Sequence, residues 1–335
     1  MNDGLIDVHS HLAPTGFPEN PSPGANKRWP CMVCGGGQGT ISFGDRPFRK
    51  LDPRSWDASR RLEDMERDGV ALQVLSPMPE LLSYWFTPSD ATILCDHVNA
   101  EIAAVVAAHP RRFRGLGMVP LQAPDAAVAA LSTLRARFGL SGIEIGSNID
   151  GALPGDPRFE PVWAAAQDLD LSVFIHPLHP VATRGLDASP AFTAFAGFPL
   201  DVALAGASLL TAGVCDRYPR LRIALSHGGG ALGAMLGRLD QGWRFTDGFG
   251  RRAERAPSEA ARSLFFDSNV YDTAYLKHLA QTVAPGQVFV GTDYPYDIMQ
   301  QDPAAFIAAA GLTAEGHQSV ARGAALRFLG SAGDN

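Results

Sequence analysis

The stretch LIDVHSHLAP, residues 5–14, sets Asp7, His9 and His11 at alternate positions of an otherwise apolar segment. Alternate side chains of a strand share a face, with α-carbons about 6.6 Å apart. His9 and His11 can therefore aim at one point. On the pair alone two readings stand open. One is two imidazoles on a single metal ion, which is ordinary zinc chemistry. The other is two histidines satisfied by backbone hydrogen bonds. Asp7 either orients one of the imidazoles or serves as a hydrogen-bond partner at the floor of the strand, and the second reading is preferred.

The same kind of segment recurs. VALQVLSP (70–77), FRGLGMVP (113–120), GIEIGSN (142–148), LSVFIHP (171–177), LRIALSHGG (221–229), LFFDSN (264–269) and VFVGTDYP (288–295) are short and β-rich. Between them lie longer runs with helical periodicity, such as RRLEDMERDG (60–69), DAAVAALSTLRARFG (125–139) and PAAFIAAAG (303–311), often closed by glycine. Eight strand candidates alternating with helices predict an α/β fold, a parallel (β/α)8 TIM barrel. An open doubly wound sheet is the alternative, but no glycine-rich dinucleotide loop follows the first strand. No linker divides the chain, so residues 1–335 are read as one domain. Residues 13–56, rich in Pro and Gly, are too long for an ordinary connection and read as a loop insertion over the barrel mouth. Residues 178–200 read as a second, smaller loop excursion.

A chain of 335 residues can bury a large core, and its 28 basic and 35 acidic residues leave a net charge of −7. That balance argues against a nucleic-acid binder. No run approaches the apolar length of a membrane span, and the N-terminal MNDGLIDVH has no basic region of a signal peptide. Four cysteines make no disulfide framework, and a cytoplasmic location is expected. CMVC at 31–34 lacks further nearby ligands for structural zinc and reads as two free thiols in a loop.

His176 ends the fifth strand candidate, His227 the sixth and Asp293 the eighth. Barrel active sites are built at these C-terminal strand ends. Four histidines and an aspartate so placed indicate a site.

DVHSH, IHP, SHGGG and GTDYP, in this order and spacing, resemble the amidohydrolase superfamily, a barrel of the metal-dependent hydrolase type. The chain is most similar to the branch that includes the 2-amino-3-carboxymuconate-6-semialdehyde decarboxylases, with FRKLD (48–52), MVPLQ (118–122) and GRLDQGWR (237–244) extending the match end to end. The resemblance implies one Zn²⁺ per chain held by His9, His11, His176 and Asp293, with a bound water, and His227 as general acid/base. No lysine stands in GIEIGSN to carry a carbamate bridging two metals, while Glu144 there is read as an acceptor behind a ligand rather than support for a second ion. The resemblance also implies that Arg49 grips a substrate carboxylate, and Arg46 is read as solvated. Arg238, eleven residues past His227, is implied to enter the site of a partner in a homodimer. Phe192, Phe195 and Phe198 are expected to line the pocket. The function implied is non-oxidative decarboxylation of a small carboxylated aromatic or muconate-semialdehyde-type molecule, the alternative being hydrolysis of a lactone, amide or related carbonyl.

Overall fold

The computed structural model describes residues 4–330. Its central feature is an eight-stranded parallel barrel. In chain order, and including a separate small sheet, the strands are β1 (Leu5–Leu12), β2 (Pro30–Gly35), β3 (Gln38–Phe43), β4 (Arg46–Leu51), β5 (Val70–Pro77), β6 (Phe113–Gly117), β7 (Gly142–Gly146), β8 (Ser172–His176), β9 (Ile223–Leu225), β10 (Phe265–Asp267) and β11 (Val288–Phe289). The barrel runs β1-β5-β6-β7-β8-β9-β10-β11. It closes where Val8 N–H donates to Val290 O at 2.9 Å and His11 N–H to Tyr294 O at 2.8 Å. All eight strand segments read from the sequence are present. They are apolar on both faces because the barrel interior lies on one side and the helices on the other.

Inside the barrel, Ile6, Val8, Val74, Leu116, Phe174, Phe265 and Phe289 form a plug. Phe328 of the C-terminal helix Ala324–Leu329 seals its floor, with its ring 5.2 Å from Phe289 and 5.5 Å from Phe265. The mouth at the other end is left for polar groups. Helices begin on side-chain caps, as at Asp57 and Thr87, and several end where glycine takes a positive φ, as at Gly139 (66°).

Five expectations need correction. Asp7 does not share a face with His9. The β1–β5 pairing shifts register between Asp7 and Ser10, so Val8 and His9 both face the interior, where each meets Phe174. Asp7 turns instead toward the helices and accepts from Gln73 Nε2 (3.0 Å) and from Thr292 N (3.1 Å) and Oγ1 (2.7 Å). This is the hydrogen-bonding role preferred from the sequence, on the outer side of the strand.

Residues 13–56 are more than a loop, since β2, β3 and β4 form an antiparallel sheet. Gly36 and Gly37, with φ of 60° and 80°, make the two-residue hairpin turn that only positive-φ residues allow. Cys31 and Cys34 lie on β2 rather than in a loop. Three apart on a strand, they face opposite sides, and both are free thiols.

The 178–200 segment is helical in its second half, because a helical run from Pro190 continues to Thr211. Finally, two helical runs, Pro88–Ala108 and Pro190–Thr211, are apolar and long enough to cross a membrane by length and composition. The sequence reading passed over both. Their apolarity has a local cause, since Leu94, Val98, Ile102, Leu209 and Leu210 are buried in the layer between barrel and helices.

Candidate active site

Three imidazoles from two strand ends converge at the barrel mouth. In each, Nδ1 is tied to an acceptor. His9 Nδ1 lies 2.6 Å from Asp267 Oδ2, His11 Nδ1 3.0 Å from Pro77 O and His176 Nδ1 3.0 Å from Pro177 O. These bonds place the proton on Nδ1 and leave each Nε2 lone pair free. The free nitrogens meet, with His9 Nε2 and His11 Nε2 3.1 Å apart. His176 Nε2 has no hydrogen-bond partner. Asp293 Oδ1, also without one, sits 3.4 Å from His9 Nε2 and 3.2 Å from His11 Nε2.

Two bare lone pairs 3.1 Å apart would repel, so either a proton on His9 or a cation lies between them. The electrostatics point the same way. Burial lowers His11, and lowers His176 well below the usual imidazole range, so both are neutral donors. Burial also opposes charge on His9, but the Asp293 and Asp267 carboxylates outweigh it and push that group up to about 10. The carboxylates thus demand positive charge at this point, and a divalent cation meets that demand. Three imidazole nitrogens and one carboxylate oxygen fit a divalent metal ion.

His227 also belongs here, since His9, His176, His227 and Asp293 each offer an atom within 4.8 Å of the others, a set that does not include His11. His227 differs from the three other histidines. Its Nδ1 finds only Ser226 Oγ at 3.5 Å, and its Nε2 lies 3.5 Å from Asp293 Oδ2. Asp267 accepts from the backbone N–H groups of His227 (3.0 Å) and Gly228 (2.7 Å). That carboxylate therefore fixes both a ligand imidazole and the turn carrying His227.

Sequence reading missed Asp267, although it ends a strand candidate just as Asp293 does. Glu144 does not act as an acceptor behind His11. It stands 3.6 Å from Nδ1, which bonds Pro77 O instead, and the neighbouring Ser76 hydroxyl donates to Ser10 O. Complete burial pushes the Glu144 carboxyl up to about 8.

The cluster opens into a cavity of about 1280 Å³, bordered by Arg49, Glu80, His179, Phe195, Phe198 and Tyr296 among others. Phe195 and Phe198 stand where the sequence put them, while Phe192 lies outside the lining with half its surface exposed. Among the described residues, four of the ten non-glycine residues with positive φ, His179, His227, Tyr271 and Asp293, border this cavity. Such strain concentrates at functional sites.

The Arg49 guanidinium sits 4.7 Å from the Tyr296 ring, which stacks on His11 at 5.2 Å. β4 thus carries Arg49 to the wall beside the imidazoles; both Arg46 and Arg49 are exposed, but Arg46 lies outside the cavity lining. On the rim, Glu80 bridges Arg28 (2.8 Å) and His179 Nε2 (3.0 Å), and His179 stacks on Trp85. Nothing in the sequence signalled this rim cluster, whose members come from three separate loops. Arg238 is exposed on the helix Leu232–Phe245 and does not border its own chain's cavity.

The amidohydrolase family model matches residues 6–331. A 2-amino-3-carboxymuconate-6-semialdehyde decarboxylase from Dictyostelium discoideum is 32% identical, over 97% of this chain and 91% of that protein. The crystal structure of a 5-carboxyvanillate decarboxylase from Sphingomonas paucimobilis superposes with a TM-score of 0.82 at 27% identity, covering 97% of this chain and 98% of that one. A dihydroxybenzoic acid decarboxylase from Polaromonas, solved with manganese and an inhibitor, shares the fold at a TM-score of 0.75 and 19% identity, over 98% and 97% of the two chains.

Proposed function

The chain belongs to the amidohydrolase family, and from that premise we propose that it is a metal-dependent, non-oxidative decarboxylase of a small carboxylated aromatic or muconate-semialdehyde-type substrate. The observation that carries the reading is the guanidinium of Arg49, held over Tyr296 beside the imidazole cluster. Its planar fork suits a carboxylate. The named activities of the relatives support the same direction.

His9, His11, His176 and Asp293 hold the ion. The ion proposed is zinc, one per chain, because an imidazole-rich set of four donors suits it better than manganese. When bound, it polarises a substrate oxygen and stabilises negative charge developing as CO2 departs. Arg49 orients the substrate from the cavity wall. The bond between the carbon skeleton and its carboxylate breaks, and the electron pair stays on carbon. His227 supplies the proton that forms the new C–H bond, since its Nε2 faces the cluster and its Nδ1 is not tied to a strong acceptor. No oxidant or reductant enters the balance.

The test is CO2 release from carboxylated phenols and aminocarboxymuconate semialdehyde by the metal-loaded protein, with lactones and amides alongside. Turnover of a carboxylated substrate with one CO2 per product is expected. Hydrolysis of the carbonyl substrates with no CO2 from any acid overturns the reading.

Arg238 is assigned to the partner's site in a homodimer, because it is exposed and outside its own cavity. Mixing Arg238→Ala and His227→Asn subunits, each inactive alone, is expected to restore about a quarter of full activity. Half of randomly mixed dimers are hybrids, and each hybrid has one complete site. No recovery on mixing removes the assignment in trans.

A further inference from the structure

Among the described residues, the buried side-chain atoms that lack a hydrogen-bond partner and also border the cavity belong to His176, Asp293 and Asn269. The ion accounts for the first two. Asn269 needs another explanation. It is 1% exposed, and neither its Oδ1 nor its Nδ2 makes a well-formed hydrogen bond with another protein atom.

Its position is well defined. The Asn269 backbone N–H donates to Asp267 Oδ1 at 3.1 Å, so the carboxylate that orients His9 also fixes this turn. The Tyr271 hydroxyl donates to Ile298 O at 2.6 Å, so toward the amide it can only accept from one Nδ2 hydrogen, which leaves Oδ1 and the second hydrogen for a ligand. Asn269 follows β10, and so stands between His227, which follows β9, and Asp293, which follows β11.

A buried amide without partners destabilises the free protein. It is kept to advantage when a ligand completes it. A carboxamide presents a donor and an acceptor in one plane. A carboxylate is already served by Arg49, and an apolar group would leave both amide atoms unpaired. We propose that Asn269 is a specificity-determining residue that receives a hydroxyl or amino substituent of the substrate, donating from Nδ2 and accepting at Oδ1. This rests on the decarboxylase reading for what the substrate is, but not for the existence of the subsite.

The test uses metal-loaded protein and calorimetric binding of two probes, salicylate and benzoate, which differ by one hydroxyl. The wild type is expected to bind salicylate at least about tenfold more tightly, because the analogue without the hydroxyl leaves the amide unpaired. In Asn269→Leu the preference is expected to fall to about twofold or less, with metal content unchanged. A purely structural residue would behave differently. Removing an unpaired buried amide should leave the Tm of ligand-free Asn269→Leu equal or higher. A lowered Tm, a loss of metal, an unchanged preference in the variant, or a wild type that binds both probes equally or neither, overturns the assignment. Absence of CO2 release from every acid, with the salicylate preference intact, overturns the decarboxylase reading alone.

Discussion

His227→Asn is expected to keep its metal ion and its fold while kcat falls by about 10²- to 10⁴-fold, the share usually carried by one acid/base group. One feature separates His227 from the three histidines proposed as ligands, although it lies in the same cluster. His9, His11 and His176 each have Nδ1 within 3.0 Å of an acceptor, which is how ligand imidazoles are held. His227 has only the Ser226 hydroxyl at 3.5 Å, so its ring is not fixed for coordination. Its side chain is 13% exposed, against 0% and 1% for His9 and His11, which leaves it open to a substrate in the cavity. Asparagine suits the test for a backbone reason. His227 has a φ of 51°, and asparagine tolerates that region better than most side chains. The Asp267 contacts to the backbone of 227 and 228 survive the change. Metal content by elemental analysis and single-turnover rates decide the matter. A variant that loses its ion along with its activity makes His227 a ligand instead.

The sequence carried the barrel because eight short apolar runs alternate with helical ones, and several of those runs end on a titratable residue. His176, His227 and Asp293 were legible for that reason, since a titratable group ending a buried strand is costly without a task. The misses have physical causes. The slip in β1 that turns Asp7 outward is a backbone event with no composition signal. Asp267 is recognised only through His9, 258 residues away in the chain, and Asn269 only through the lack of any partner. Glu144 looked like an acceptor because it lies on a barrel strand near the histidines, but the carbonyl of Pro77 is closer to His11 and takes that bond. The insertion was judged by its Pro and Gly content, which hides a hairpin. Yet Gly36 and Gly37, both at positive φ, mark the turn of that hairpin.

Stripping the protein with a chelator is expected to abolish turnover and to lower Tm by roughly 5–10 °C. Added zinc should reverse both effects. The size follows from linkage. An ion present at about 1,000 times its Kd stabilises the folded state by about 4 kcal/mol, and in a domain of this length 1 kcal/mol moves Tm by roughly 1.5–2.5 °C. The direction follows from the site. Without a cation, the Nε2 atoms of His9 and His11 face each other at 3.1 Å, and Asp293 Oδ1 is buried with no hydrogen-bond partner. A proton on His9, favoured by the pull of Asp267 and Asp293, relieves only part of this. The donors reach the mouth on β1, on β8 and after β11, so the ion also ties together segments that are far apart in the chain. Imidazole-rich coordination should make zinc restore stability at lower concentration than manganese. A protein that keeps its rate and its Tm after exhaustive chelation, with no metal left by elemental analysis, would show that His9, His11, His176 and Asp293 converge for some purpose other than holding an ion.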